Sequence, residues 1–151
     1  MIEEKLNQLG LKLPEVAKPL AAYVPAKKVG NLIMTSGQVP LVNGEIKYKG
    51  KLGKDLKEED GQKAAEICAL NCLAAIKSIA ESLDNIAEVV KLTVFVNSTE
   101  EFTAQPKIAN GASELMVKLF GENGQHSRSA VGVSSLPAGS SVEIEMIVRT
   151  K

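Results

Sequence analysis

Residues 89–96 read Val-Val-Lys-Leu-Thr-Val-Phe-Val. The run is β-branched and apolar on both parities, the pattern of a strand in the middle of a sheet. A central strand needs partners on both edges and a packed layer against its apolar side. The flanking sequence supplies both.

Upstream, Lys57 to Leu83 carries Ala65, Cys68, Cys72, Ala75, Ile76, Ile79 and Leu83 on one helical face. Leu70 and Leu73 fall on the other side, so this helix is expected to be covered nearly all round. Its alanines allow close packing, and Asp84-Asn85 ends it. Downstream, Ser98-Thr-Glu-Glu101 has the form of a capping box and is expected to open a second helical region. Pro106 is expected to divide that region. Ile108, Ala112, Leu115 and Leu119 form its apolar stripe, and Gly121 stops it.

Further out, residues 2–9 predict a short polar helix ended by Gly10, and Leu11 to Ala22, with Pro14 and Pro19, an irregular arm. Asn31 to Ser36 is a compact apolar strand closed by Gly37. Asn43-Gly44 is a hairpin turn signal, with Glu45 to Lys49 returning as a short edge strand. Gly121 to Gly124 and Leu136 to Gly139 read as turns. Ser129 to Ser135 is a strand, and Ser141 to Thr150 alternates Val142, Ile144, Met146 and Val148 against Glu143, Glu145 and Arg149. The last two strands are expected to form a hairpin. The whole chain, 1–151, reads as one α+β domain, a mixed sheet with two helices packed on one face. The other face needs cover, which predicts a homo-oligomer.

Formal net charge is zero and aromatic residues are 3% of the chain, with no basic stripe. That balance argues against nucleic acid as a partner. The polar, charged start lacks a secretory signal pattern, and no apolar run approaches a membrane span, so a cytoplasmic protein without a membrane partner is expected. Cys68 and Cys72 are one helical turn apart rather than in a zinc knuckle, and His126 is the sole histidine. No metal site is expected, and the cysteines read as core residues.

Arg128 heads the penultimate strand in His126-Ser-Arg-Ser-Ala-Val-Gly-Val133. A guanidinium there can clamp a carboxylate with two parallel hydrogen bonds, or pair with a surface acid. Glu143 opposes the core residues of the last strand, where it can orient water or simply be solvated. Tyr23 lies in the Pro-rich arm, and Ser36 and Gly37 end the first strand. Asn110-Gly111 interrupts a helical pattern with two poor helix formers, a local conflict that signals a packing or functional demand. No Gly-x-Ser-x-Gly elbow is present for a serine hydrolase.

Three ordered motifs carry a resemblance. Asn31-Leu-Ile-Met-Thr-Ser-Gly-Gln-Val-Pro40, Lys91-Leu-Thr-Val-Phe-Val96, and Arg128-Ser-Ala-Val-Gly-Val-Ser-Ser-Leu-Pro137 followed by Val142-Glu-Ile-Glu145 resemble the signatures of the YjgF/Rid family, also called endoribonuclease L-PSP. The resemblance implies a chorismate-mutase-like fold, a homotrimer and ligand clefts between subunits. It implies hydrolysis of reactive enamines and imines to keto acids and ammonia, without a cofactor. By position, Arg128 matches the family's carboxylate-binding arginine and Glu143 the glutamate that positions water. Tyr23, Ser36, Gly37 and Asn110 match cleft-lining positions, Asn110 only with an inserted segment after Phe102. Ala130 stands where the deaminase branch has cysteine, and its backbone N–H could still serve. The chain resembles a longer branch with a Gly-x-His-x-Arg pattern, in which His126 either acts as acid or base or lines the cleft. A non-catalytic module binding small carboxylates is the alternative expectation, with endoribonuclease activity third.

Overall fold

The computed structural model describes every residue except Ala17 and Leu20. Five strands, β1 (Ala26–Val29), β2 (Leu32–Thr35), β5 (Ile86–Asn97), β6 (Ser127–Val133) and β7 (Val142–Thr150), form the main sheet in the order β1-β2-β7-β5-β6. β3 (Leu41–Val42) and β4 (Glu45–Ile46) form a separate small hairpin, turned at Asn43 and Gly44, both at positive φ. Three α-helices are found among the described residues: α1 (Ile2–Gln8), α2 (Glu58–Ala80) and α3 (Gln105–Phe120). α2 and α3 pack side by side on one face of the sheet.

The strand over 89–96 is indeed internal, and β5 extends it to twelve residues between β7 and β6. Leu92, Val94 and Val96 are fully buried beneath the helices, while Phe95 on the opposite parity is half-buried. α2 buries residues on both sides, as its pattern requires. Cys68 and Cys72 point into the core, where their thiols donate to the Val142 and Ile144 carbonyls at 3.5 and 3.4 Å. Burial pushes the Cys72 thiol up to about 12 and raises Cys68 also. Both are packing residues.

Several expectations are corrected. The last two strands do not form a hairpin: β5 lies between them, parallel to β6 and antiparallel to β7. The alternation of β7 states which side is buried but not which neighbour it takes. α3 begins at Gln105, not at the Ser98 box; the Ser98 hydroxyl donates instead to Val96 O at 3.2 Å. Pro106 therefore sits in the first turn of α3 rather than dividing it, where its missing N–H costs nothing. β1 had no strong strand pattern of its own, since three of its four residues are exposed, yet it pairs with β2 across Gly30-Asn31. α2 stops at Ala80, shorter than the apolar pattern suggested, and Leu83–Asn85 is a 3-10 turn. The arm over Leu11 to Ala22 is irregular where described; Ala17 and Leu20 lie outside the described residues.

The conflict at Asn110-Gly111 has a packing cause. A Cβ on Gly111 would overlap the backbone carbonyl of Gln62, so glycine lets α3 press against α2. That close approach fixes where the neighbouring Asn110 meets β6.

Candidate functional site

Arg128 is in register with Leu92, so it projects to the helix-covered side of the sheet at the edge strand β6. Asn110 and Ser113 lie three residues apart on α3 and share one side of that helix. Arg128 Nη1 donates to Asn110 Oδ1 at 2.9 Å and to Ser113 Oγ at 3.1 Å. Those bonds use both hydrogens of Nη1, leaving the three of Nε and Nη2. Among the described residues, no carboxylate forms an ion pair with Arg128. It is not the surface ion pair that a bland reading would give it.

His126 extends this cluster. Its Nδ1 is 2.7 Å from Gly124 O and its Nε2 is 2.9 Å from Ser113 Oγ. The carbonyl can only accept, so Nδ1 carries the proton, and in the neutral ring Nε2 accepts from the Ser113 hydroxyl. Ser113 in turn accepts from Arg128, which can only donate. The half-buried imidazole is held below its usual value by burial, which outweighs the opposing hydrogen bond to the Gly124 carbonyl, with the Arg128 charge adding to the lowering. Ala130 lies two residues beyond Arg128 with the same parity, opposite Val94 of β5.

A second group gathers on the other face. Glu143 is opposite Phe95, away from the helices, and is half-buried. Burial raises its carboxyl, with the Glu145 charge adding to the effect. Gly37 lies beneath it: a Cβ there would come within 2.8 Å of Glu143 Oε1. Ser36 Oγ donates to Val24 O at 2.6 Å, tying the arm to the end of β2. Tyr23 is exposed and lines an open cleft of about 300 Å³ together with Gly37 and Gln38.

The structure thus brings Arg128, Asn110 and His126 together, and separately Glu143, Gly37, Ser36 and Tyr23. It does not bring the two groups together. Arg128 and Glu143 are two strands and three residues apart, about 14 Å between backbones, on opposite faces. Ser113 is the residue that sequence reasoning missed. Its signal is the i, i+3 spacing from Asn110 on a helix, legible only once Asn110 is known to face Arg128.

The sequence profile of the family described as "YjgF/chorismate mutase-like, putative endoribonuclease" matches residues 3–148. The chain belongs to this family. Among YjgF-like relatives, the chain is 42% identical to Protein TCP17 of Trypanosoma cruzi over 148 residues, covering 97% of this chain and 92% of that protein. It is 30% identical over 130 residues to the 2-iminobutanoate/2-iminopropanoate deaminase of Escherichia coli, covering 85% and 87% of the two chains. The crystal structure of Atu1372 from Agrobacterium tumefaciens superposes with a TM-score of 0.94 at 44% identity, covering 99% of this chain and 92% of that one. The fold expected from the resemblance is the fold observed. No helix among the described residues is long and apolar enough to cross a membrane.

Proposed function

We propose that this YjgF-like chain hydrolyses small 2-imino acids and their enamines to 2-keto acids and ammonia. The observation that carries this reading is the state of Arg128. Its guanidinium is fixed by two neutral acceptors, and no carboxylate among the described residues pairs with it. A cation so held is prepared for a planar anion, and two parallel N–H donors on the Nε–Nη2 edge match a carboxylate. Imines hydrolyse unaided, so fixing the substrate beside an ordered water is sufficient for acceleration.

Glu143 is the water-positioning carboxylate of this reading: half-buried on the uncovered face, it can accept a hydrogen bond from the attacking water and hold it in place. Because it faces away from Arg128 within one chain, the complete site is made between copies. One copy contributes Arg128, Asn110 and the Ala130 backbone; its neighbour contributes Glu143, Gly37, Ser36 and Tyr23. A homotrimeric ring supplies this contact three times. A second reading, a binding module for small carboxylates without turnover, is favoured by Ala130 in place of the deaminase branch's cysteine.

Ammonia release from freshly generated 2-iminobutanoate and 2-iminopropanoate decides between them. Acceleration by the wild type that disappears in Arg128→Ala establishes the hydrolase. Keto-acid binding by a wild type no faster than buffer establishes the binding module.

A further inference from the structure

The Arg128 half of the site holds a hydrogen-bonded chain of its own. Ser113 Oγ stands between Arg128 Nη1, at 3.1 Å, and His126 Nε2, at 2.9 Å, and His126 Nδ1 is anchored on Gly124 O at 2.7 Å. With the ring neutral, donor and acceptor chemistry fixes every direction in the chain. An imidazole with Nδ1–H bonded to an acceptor and Nε2 facing a hydroxyl is the arrangement by which a histidine accepts a proton through serine. Both side chains are half-buried, so they are neither locked in the core nor solvated away from the guanidinium. Glu143 of the same chain is about 14 Å away on the other face, so the proton-handling group nearest the clamp within one chain is this pair.

We propose that the Ser113 hydroxyl, backed by His126, is the proton relay of the Arg128 site, taking a proton from the attacking water and returning it to the departing nitrogen. The proposal rests on the hydrolytic reading above and assigns its proton transfers. With the carboxylate on Arg128, water adds to the iminium carbon. The new C–O bond forms as the C=N pair moves onto nitrogen. The water's proton passes to Ser113 Oγ while the serine proton passes to His126 Nε2. The reverse transfer protonates the amine of the carbinolamine, the C–N bond breaks, and the hydroxyl proton leaves with ammonia as ammonium. Iminium and water become keto acid and ammonium, with no redox change.

Geometry also sets the protonation state the relay requires. His126 must be neutral to accept; burial first, and the Arg128 charge with it, favour the neutral ring over the opposing pull of the Gly124 carbonyl. Among the described residues, no carboxylate forms an ion pair with His126. Turnover should therefore rise with pH through a midpoint below the ordinary histidine value and be flat on that side by neutrality.

The test uses the full-length protein. Ser113→Ala and His126→Gln should each lower kcat by about 10²-fold. Affinity for 2-oxobutanoate should stay within about tenfold of wild type, the worth of one neutral hydrogen bond to Arg128. His126→Gln should remove the acid limb of the pH–rate profile, and Ser113→Thr, which keeps the hydroxyl, should restore most of the rate. Since His126 is the sole histidine, 15N NMR of the unmodified protein reads its tautomer without ambiguity, and Nδ1–H is expected. Wild-type kcat and an unchanged acid limb in His126→Gln overturn the relay while leaving an Arg128-dependent hydrolase standing. An Nε2–H tautomer overturns the relay by itself. A wild type no faster than buffer overturns relay and hydrolase together.

Discussion

Arg128 and Glu143 lie on opposite faces of one sheet, the first opposite Leu92 beneath the helices and the second opposite Phe95 on the uncovered side. A side chain cannot reach through a sheet, so one ligand meets both residues only if two copies of the chain share it. The uncovered face also carries exposed apolar residues, Val131 among them, which a neighbouring copy would bury.

This relationship predicts complementation. Arg128→Ala and Glu143→Ala should each be inactive alone. Unfolded together in equal amounts and refolded, they should regain about one quarter of wild-type turnover, because in a closed ring one site in four pairs an intact arginine with an intact glutamate. No recovery, with both variants folded, would place both residues' work within one chain.

Gly111 sets the approach of α3 to α2, since any Cβ there meets the Gln62 carbonyl. Gly111→Ala should destabilise the chain by about 3 kcal/mol, lowering the melting temperature by roughly 6–12 °C. It should also weaken keto-acid binding, because any displacement of α3 disturbs the adjoining Asn110–Arg128 bond. A thermal melt and a binding isotherm on the same variant check both parts.

The cysteines should be silent in the native state. Both are fully buried and their thiols are raised by burial, Cys72 to about 12. A thiol-specific disulfide reagent at pH 8 should label neither until denaturant is added, when both react.

Glu143 gives a pH signature in stability. Its carboxyl is raised in the fold, so the protonated form is the one the fold favours. That contribution is complete below the unfolded value, near pH 4.3, and is lost as pH rises through the folded value. At pH 7 the carboxylate is therefore a cost, and Glu143→Gln should be at least as stable as wild type there. The difference should close below about pH 4, measured by urea midpoints across the range.

What the sequence made legible was what periodicity encodes. β5 has apolar residues on both parities and is internal; β7 alternates and buries one side; α2 is apolar nearly all round and is covered nearly all round. Pairing was not legible, because β7 would alternate identically beside β6 or beside β5. The separation of Arg128 from Glu143 follows from that pairing alone, so their positions were readable while their relation was not. Ser98-Thr-Glu-Glu101 failed as a helix start because a capping box needs a helix to follow at once, and Pro106, eight residues after Ser98, offered a better first turn. Ser113 was invisible because a serine inside a helix has no distinctive pattern; only His126 and Arg128 converging on it give it meaning.

The central claim is that Arg128 is a carboxylate anchor prepared by Asn110 and Ser113. Isothermal calorimetry of 2-oxobutanoate against wild type, Arg128→Ala and Asn110→Ala tests it without depending on turnover. Removing the guanidinium should cost about 2–3 kcal/mol, a loss of 30-fold or more, the worth of a charge-assisted pair of hydrogen bonds. Removing Asn110 should cost less, about 1 kcal/mol, since one neutral bond to Nη1 remains. Equal affinity in wild type and a folded Arg128→Ala would contradict the account.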